Sequence, residues 1–410
     1  MSMQLPKQGI GRDALFEDMR KRKEQDADWH GARTFSLIYP VSDEVDGILA
    51  EANELYMFEN ALNPFRFPSL RQMEMDVVSM AAGLLNAPED ADGCMTSGGT
   101  ESILMAVKSA RDRARAERGV TEPEMLAPVT AHPAFAKAAK YLGLSHRQIP
   151  IGEDLRADVR AAESMIGDQT ALVVGSAPNY PFGTVDPIPE LAGLAAERGI
   201  SFHTDSCLGG FLLPFLERLG HPVPPFDFRV PGVTTMSADV HKYGYCTKGA
   251  SVVVHRDGSH LKQYQLFVYT DWPGGFYGSF SMAGARPAAP IAAAWAIMRY
   301  LGEDGYLRLA ADLLATTKKI RSAIDATEGL RVIGDPVMSV FSFTADELDV
   351  GAICDVMDDR GWNIDRQTPP DALHLMLSPK HGSVADRFIE DLREAVKQHG
   401  TSRGVEARYS

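Results

Sequence analysis

Four short runs in the middle of the chain, "TALVVGSAP", "ISFHTDSC", "GVTTMSAD" and "ASVVVHR", are rich in β-branched residues and bounded by glycine, proline or charge. They read as strands. Helical stretches such as "PELAGLAAERG" lie between them, so the pattern is one of βα units. Repeated βα units predict an α/β fold with a mostly parallel central sheet and helices on both faces. Upstream, "ESILMAVKSARDRARAER" sets Ile103, Ala106, Val107 and Ala110 along one helix face.

The flanks are different. Residues 13–25 read as a charged surface helix and residues 42–60 as an amphipathic one. The turn "LNPFRFPSL" then leads into the helix "RQMEMDVVSMAAGLLN". A Gly- and Ser-rich break, "GGFYGSFSMAGARPAAP", precedes a helix over about 288–302. Beyond it, "RVIGDPVMSVFSFTA", "VGAICDVMDDRG", "ALHLMLSP" and "VADRFIEDLREAVKQ" alternate strand, helix, strand, helix, which predicts a small α+β C-terminal domain. A chain of 410 residues exceeds one small core. The expected division is an N-terminal helical segment (1–60), a large domain (61–302) and a small domain (303–410).

Charge and cysteines narrow the class. A formal charge of −14 argues against a broad nucleic-acid surface. Four cysteines, Cys94, Cys207, Cys246 and Cys354, are widely spaced with no CxxC pair, which argues against a disulfide framework or structural zinc and suits a reducing cytoplasm. No metal site is expected. No signal-like or membrane-spanning run is seen, so a cytoplasmic protein without a transmembrane anchor is expected.

Four features carry chemistry. In "TSGGTESILMAVK", Gly98, Gly99 and Thr100 open a strong helix. Free N–H groups, the positive dipole end and glycine-exposed backbone make an anion site there, or else a plain glycine turn with a capping hydroxyl. Asp205 ends a predicted buried strand, where open α/β sheets bind ligands, and either caps the next helix or holds a cation or a protonated ring nitrogen. His132, before a helix, is a cap, a surface residue or a ligand. Lys242 lies in "MSADVHKYGYCTKGASVVVHR", a stretch that otherwise reads as interior. A lysine in a partly buried pocket loses preference for its charged form, and a neutral amine is what Schiff-base chemistry with an aldehyde needs. A phosphate at a helix N-terminus, an aldehyde on lysine, a ring nitrogen on aspartate and an aromatic stacker together describe pyridoxal phosphate.

These residues resemble those of sphingosine-1-phosphate lyases, within the pyridoxal-phosphate decarboxylases of fold type I. The matching stretches are "TSGGTESILMAVK", "HTDSCLGGFLLPFLE", "FDFRVPGVTTMSADVHKYGYCTKGAS", "TDWPGGFYGSFSMAGARP" and "RGWNIDRQTPP". The resemblance implies that Gly98, Gly99, Thr100 and His241 hold the cofactor phosphate. It also implies that His132 stacks on the ring, Asp205 faces its nitrogen, Cys207 touches its other face and Ser237 reaches the cofactor. Lys242 is implied as the lysine that carries the cofactor. In the family the partner subunit completes the site, so a homodimer is expected, with Gly278 and Ser279 reaching the neighbouring phosphate.

The implied reaction is retro-aldol cleavage of a phosphorylated long-chain amino alcohol to a fatty aldehyde and phosphoethanolamine. Tyr39 and Lys248 match substrate-phosphate contacts, Tyr245 lies between them and either orients the substrate or simply packs, and Tyr409 matches a C-terminal tyrosine of the site. One departure stands out. Asn63 occupies the position of a family histidine that helps hold the substrate phosphate, and it cannot carry charge. Arg66, three residues on, is either a bidentate replacement or a surface residue, and Phe65 and Phe67 make the entrance more apolar. The competing readings are an amino-acid decarboxylase on the same scaffold and a cofactor-binding protein without catalysis. Lys248 and Tyr39 favour the lyase over the decarboxylase, since an anion pocket beyond the cofactor suits a phosphate head. The presence of lysine, aspartate and phosphate loop together disfavours the non-catalytic protein.

Overall fold

The fold was obtained as a computed structural model and describes residues 4–407; Tyr409 lies outside them. Seven strands form the central sheet: β1 (Asp92–Thr96), β2 (Glu124–Pro128), β3 (Ser145–Ile149), β4 (Thr170–Ser176), β5 (Ser201–Asp205), β6 (Thr235–Ala238) and β7 (Ser251–His255). Their spatial order is β1-β7-β6-β5-β4-β2-β3. All neighbours from β6 to β3 pair in parallel, and β7 runs against both β1 and β6. The four runs read from the sequence are β4 to β7. Every residue of these strands is buried, as helices on both faces require.

Local chemistry sets the helix ends. Ser42 caps the helix Asp43–Leu55 by accepting the Val45 N–H at 3.3 Å. Pro68 opens the helix Pro68–Leu84, where its missing N–H costs nothing. Gly119, at φ 65°, closes the helix Gly99–Arg118 in the left-handed region that glycine adopts most readily. The helix expected over 42–60 stops at Leu55, because the chain then turns to pair Ala61 N–H with the Arg286 carbonyl at 3.0 Å.

A short hairpin, β8 (Phe267–Tyr269) and β9 (Tyr277–Ser279), stands off the sheet. The helix expected over 288–302 continues as Ala289–Asp325, with one non-helical residue, Gly302, at φ 56° and ψ −176°. The C-terminal part adds two strands to those expected. Its sheet runs β10-β11-β13-β12, antiparallel throughout, from β10 (Leu330–Val332), β11 (Val340–Ala345), β12 (Asp365–Gln367) and β13 (Ala372–Met376). β10 and β12 have three residues each, too few to give a periodic signal. One apolar cluster joins both sheets, from Phe202 and Met236 through Ile297 and Leu313 to Phe341 and Phe388.

Under the small sheet Asp391 accepts three hydrogen bonds, from Trp362 Nε1 at 3.0 Å, Arg360 at 2.7 Å and Arg387 at 2.9 Å. Burial raises the carboxyl's pKa, but these donors outweigh it and hold the group below its ordinary range. Asp391→Ala is expected to cost about 3 kcal/mol, because it leaves the buried indole N–H and a guanidinium unmatched. The folded pKa is depressed, so the contribution is complete above the ordinary carboxyl value and lost as pH falls through the lower folded one. Urea-unfolding midpoints of both proteins at pH 7 and near pH 3 check this: the gap should be narrower at the second.

Candidate active site

The carboxyl ends of β4, β5 and β6 face the start of the helix Gly99–Arg118, and a cavity of about 300 Å³ lies between them. Its wall includes Gly98, Gly99, Thr100, His132, Asp205, Cys207, His241 and Lys242, eight of the residues singled out from sequence. It also includes Ser176, Tyr180, Glu101 and Asp239, which were not.

The loop before the helix is fixed from below. Glu101 Oε2 accepts from the Ser97 N–H at 2.7 Å and its hydroxyl at 2.6 Å, and Oε1 accepts from Met282 N–H at 2.8 Å. No side chain fits at Gly99, since a Cβ there would stand 2.8 Å from both Asp239 Oδ2 and Cys207 Sγ. At Gly98, φ 156°, a Cβ would come within 3.2 Å of the His241 ring. Backbone therefore forms this wall, with first-turn N–H groups beside it.

Asp205 is the last residue of β5, and its Oδ1 accepts from Cys207 N–H at 3.1 Å and Ser237 Oγ at 3.2 Å. It is at once the turn cap and a wall residue. Ser237 lies behind it rather than on the wall, fully buried and also bonded to His203 Nε2 and Cys207 Sγ at 3.1 and 3.2 Å. Burial, reinforced by Asp205 and Asp239, pushes the Cys207 thiol well up, so it is a neutral contact and not a nucleophile.

His132 likewise has two roles. Its Nδ1 accepts the Ala134 N–H at 3.0 Å at the start of the helix Ala134–Leu142, while the ring lines the cavity. Burial lowers its pKa, so the ring is neutral with its proton on Nε2. His241 follows the same logic. Nδ1 accepts Ala250 N–H at 3.2 Å, burial pulls the pKa to about 4, and Nε2–H points towards Asp239 Oδ2 at 3.6 Å.

Lys242 extends from the turn after β6, with its Nζ 3.0 Å from Asp239 Oδ2. Lys248 sits behind it, donating to the His241 carbonyl at 3.1 Å and lying 4.9 Å from the Tyr39 ring centroid. Desolvation against the surrounding protein, then the Lys242 charge, lowers the Lys248 pKa, although its side chain still reaches solvent. Tyr39 donates to Met376 Sδ at 3.0 Å.

Other expected residues stand apart from this wall. Tyr245 is buried in the core between Tyr243 and Tyr306, with burial driving its pKa well up. Asn63 accepts the N–H groups of Phe65 and Arg66, both at 3.1 Å, so its side chain closes its own turn; Arg66 is exposed. Gly278 and Ser279 lie on β9, away from this chain's cavity. Tyr180 was missed. Its hydroxyl donates to Asp365 Oδ2 at 3.0 Å and its carbonyl accepts from His374 at 2.8 Å, a link across 185 residues that no local pattern announces.

The set fits pyridoxal phosphate. A backbone cradle that excludes side chains suits the phosphate, a strand-end carboxylate suits the ring nitrogen, a neutral imidazole suits a ring face, and a lysine completes it. Among the described residues no helix is long and apolar enough to cross a membrane.

A family model described as the pyridoxal-dependent decarboxylase conserved domain matches residues 2–346. Sphingosine-1-phosphate lyase of Arabidopsis thaliana is 41% identical over 401 residues, 96% of this chain and 73% of that protein. Sphingosine-1-phosphate lyase 1 of Rattus norvegicus is 40% identical over 397 residues, 96% of this chain and 70% of that one. The solved sphingosine-1-phosphate lyase of Burkholderia pseudomallei superposes with a TM-score of 0.93 at 40% identity, covering 97% of this chain and 93% of its own. Glutamate decarboxylase of Lactobacillus brevis, 19% identical with a TM-score of 0.85 over 98% and 96% of the two chains, shares the fold. The chain therefore belongs to the sphingosine-1-phosphate lyase family of the pyridoxal-phosphate-dependent decarboxylases.

Proposed function

We propose that the chain cleaves the C2–C3 bond of phosphorylated long-chain amino alcohols such as sphingosine 1-phosphate, with Lys242 as the lysine that carries the cofactor. The observation that carries this reading beyond the shared scaffold is the cation behind the cofactor cavity. Lys248, against Tyr39 and the His241 carbonyl, offers a second anion a place that a plain amino acid does not need. In the cleavage the C3 hydroxyl loses its proton, its oxygen becomes the aldehyde carbonyl, the bonding pair stays with C2, and C2 takes up a proton to give phosphoethanolamine. Bound pyridoxal phosphate supplies the electron sink for that pair. The protein holds the phosphate on Gly98–Thr100 and His241, keeps Asp205 fixed through Ser237 and Cys207, and presents His132 as an uncharged plate.

The reading includes a cytoplasmic homodimer. Its support is four buried free cysteines and an exposed apolar hairpin, with Phe267, Tyr269 and Trp272 about half exposed and Phe276 71% exposed. Apolar patches of this kind mark protein interfaces. Gly278 and Ser279 on the same hairpin would then serve the neighbouring site.

Purified enzyme with pyridoxal phosphate should convert sphingosine 1-phosphate to a long-chain aldehyde and phosphoethanolamine by mass spectrometry. Lys242→Ala should lose both products and the visible absorbance of bound cofactor. Amines formed from free amino acids, with no aldehyde from the lipid, would move the chain to the decarboxylases. Lys248→Ala should raise KM for a phosphorylated substrate roughly 10- to 100-fold, as loss of a charge-assisted contact does, and leave an unphosphorylated analogue nearly unchanged; equal effects would remove Lys248 from the phosphate site. Light scattering of the loaded enzyme should give twice the chain mass of 44.7 kDa, and a monomer with full activity would defeat the shared site.

A further inference from the structure

Asp239 is the most deeply buried carboxylate on the cavity wall, 1% exposed against 8% for Asp205 and 9% for Glu101. It directly follows β6, and the Lys242 N–H closes a turn onto its carbonyl at 3.1 Å. That turn sets the two side chains together, with Nζ 3.0 Å from Oδ2. The Ser251 hydroxyl also lies against this carboxylate and helps hold it ionised. A buried carboxylate is costly even with a hydroxyl partner unless a charge compensates it. His241 gives only an N–H, since its ring is neutral, so the compensating charge is the ammonium. Gly99 closes the far side, because any Cβ there would strike both carboxylate oxygens at 2.8 and 2.9 Å.

We propose that Asp239 is the positioning residue of Lys242, a buried counter-ion that holds the lysine's ammonium at a fixed place on the cavity wall whenever the amine is not bonded to the cofactor. The inference rests on Lys242 being the cofactor lysine. Its chemical consequence concerns competition. An ammonium has no lone pair, so a lysine held charged by Asp239 does not compete with the substrate's amine for the cofactor's aldehyde carbon until it gives up its proton. Burial works against the ionised form of Asp239, but Lys242 and then His241 outweigh it and keep the carboxyl below its ordinary range. The other titratable groups around the amine are His132 ahead of its helix, Asp205 and Cys207 after β5, and His241, Tyr243 and Lys248 on its own segment.

The test is competitive labelling of the full-length, cofactor-free chain with trace acetic anhydride across pH, read lysine by lysine by mass spectrometry. In the unaltered protein Lys242 should titrate above Lys248, which sits behind it and lacks the carboxylate at 3.0 Å. Asp239→Asn should move the Lys242 midpoint down by about one to three pH units, the range for loss of an adjacent opposite charge. Lys248 should move less, and Asp239→Glu should restore part of the shift. A merely structural role would lower the melting temperature and leave the midpoint in place. The proposal is overturned if Lys242 titrates at or below Lys248, or if Asp239→Asn leaves its midpoint unmoved. Should the variant not fold, the comparison of the two lysines decides alone. Borohydride reduction of the loaded enzyme with peptide mapping shows separately which lysine carries the cofactor, so an error there is not mistaken for failure of the pair.

Discussion

Asp205 can stand at the edge of the cavity because the neighbouring parallel strand holds it there. The register pairs Ser176 with Asp205 and Asp205 with Ser237, one residue from each of β4, β5 and β6 at the same level of the sheet. Ser176 and Asp205 line the cavity, and the Ser237 hydroxyl donates to the carboxylate from behind. A slip of one residue along β6 would turn that hydroxyl to the opposite face and leave a buried carboxylate short of a donor. Everything chemical about the site assumes this register, since Asp239 and Lys242 follow β6 directly and inherit its position.

Several wall residues serve the fold and the site with different atoms of one side chain. His132 spends Nδ1 on the helix start while its ring lines the cavity. His241 does the same with the Ala250 N–H. In each ring one nitrogen is committed as an acceptor, so the tautomer is decided by backbone rather than by ligand. Burial completes the arrangement by keeping both rings uncharged, which leaves Lys242, Lys248 and the carboxylates as the charges of the neighbourhood.

Much of this was legible in the sequence for simple reasons. Buried parallel strands are short apolar runs, and β4 to β7 could be read from theirs; β10 and β12 could not, with three residues each. Gly98, Asp205 and Lys242 lie at ends of such runs, where ligands of α/β sheets collect. Asp239 offered a local signal, a carboxylate three residues before a lysine in "SADVHKYGY", which earns meaning only once the turn is known. Tyr180 offered none, because its partner Asp365 is on the other sheet. Tyr245 and Ser237 sit among matching residues in the chain, yet one packs in the core and the other stands behind Asp205. Proximity along the chain does not fix which side of a turn a side chain takes.

Tyr180 has a further meaning for how the molecule tolerates change. Its hydroxyl and carbonyl are both tied to the small sheet, through Asp365 on β12 and His374 on β13, and its ring stacks on His374 at 4.0 Å. The small sheet is thereby a gauge for one wall of the cavity. A substitution far from the cavity that tilts β12 or β13 against Tyr180 therefore changes the width of the cavity itself.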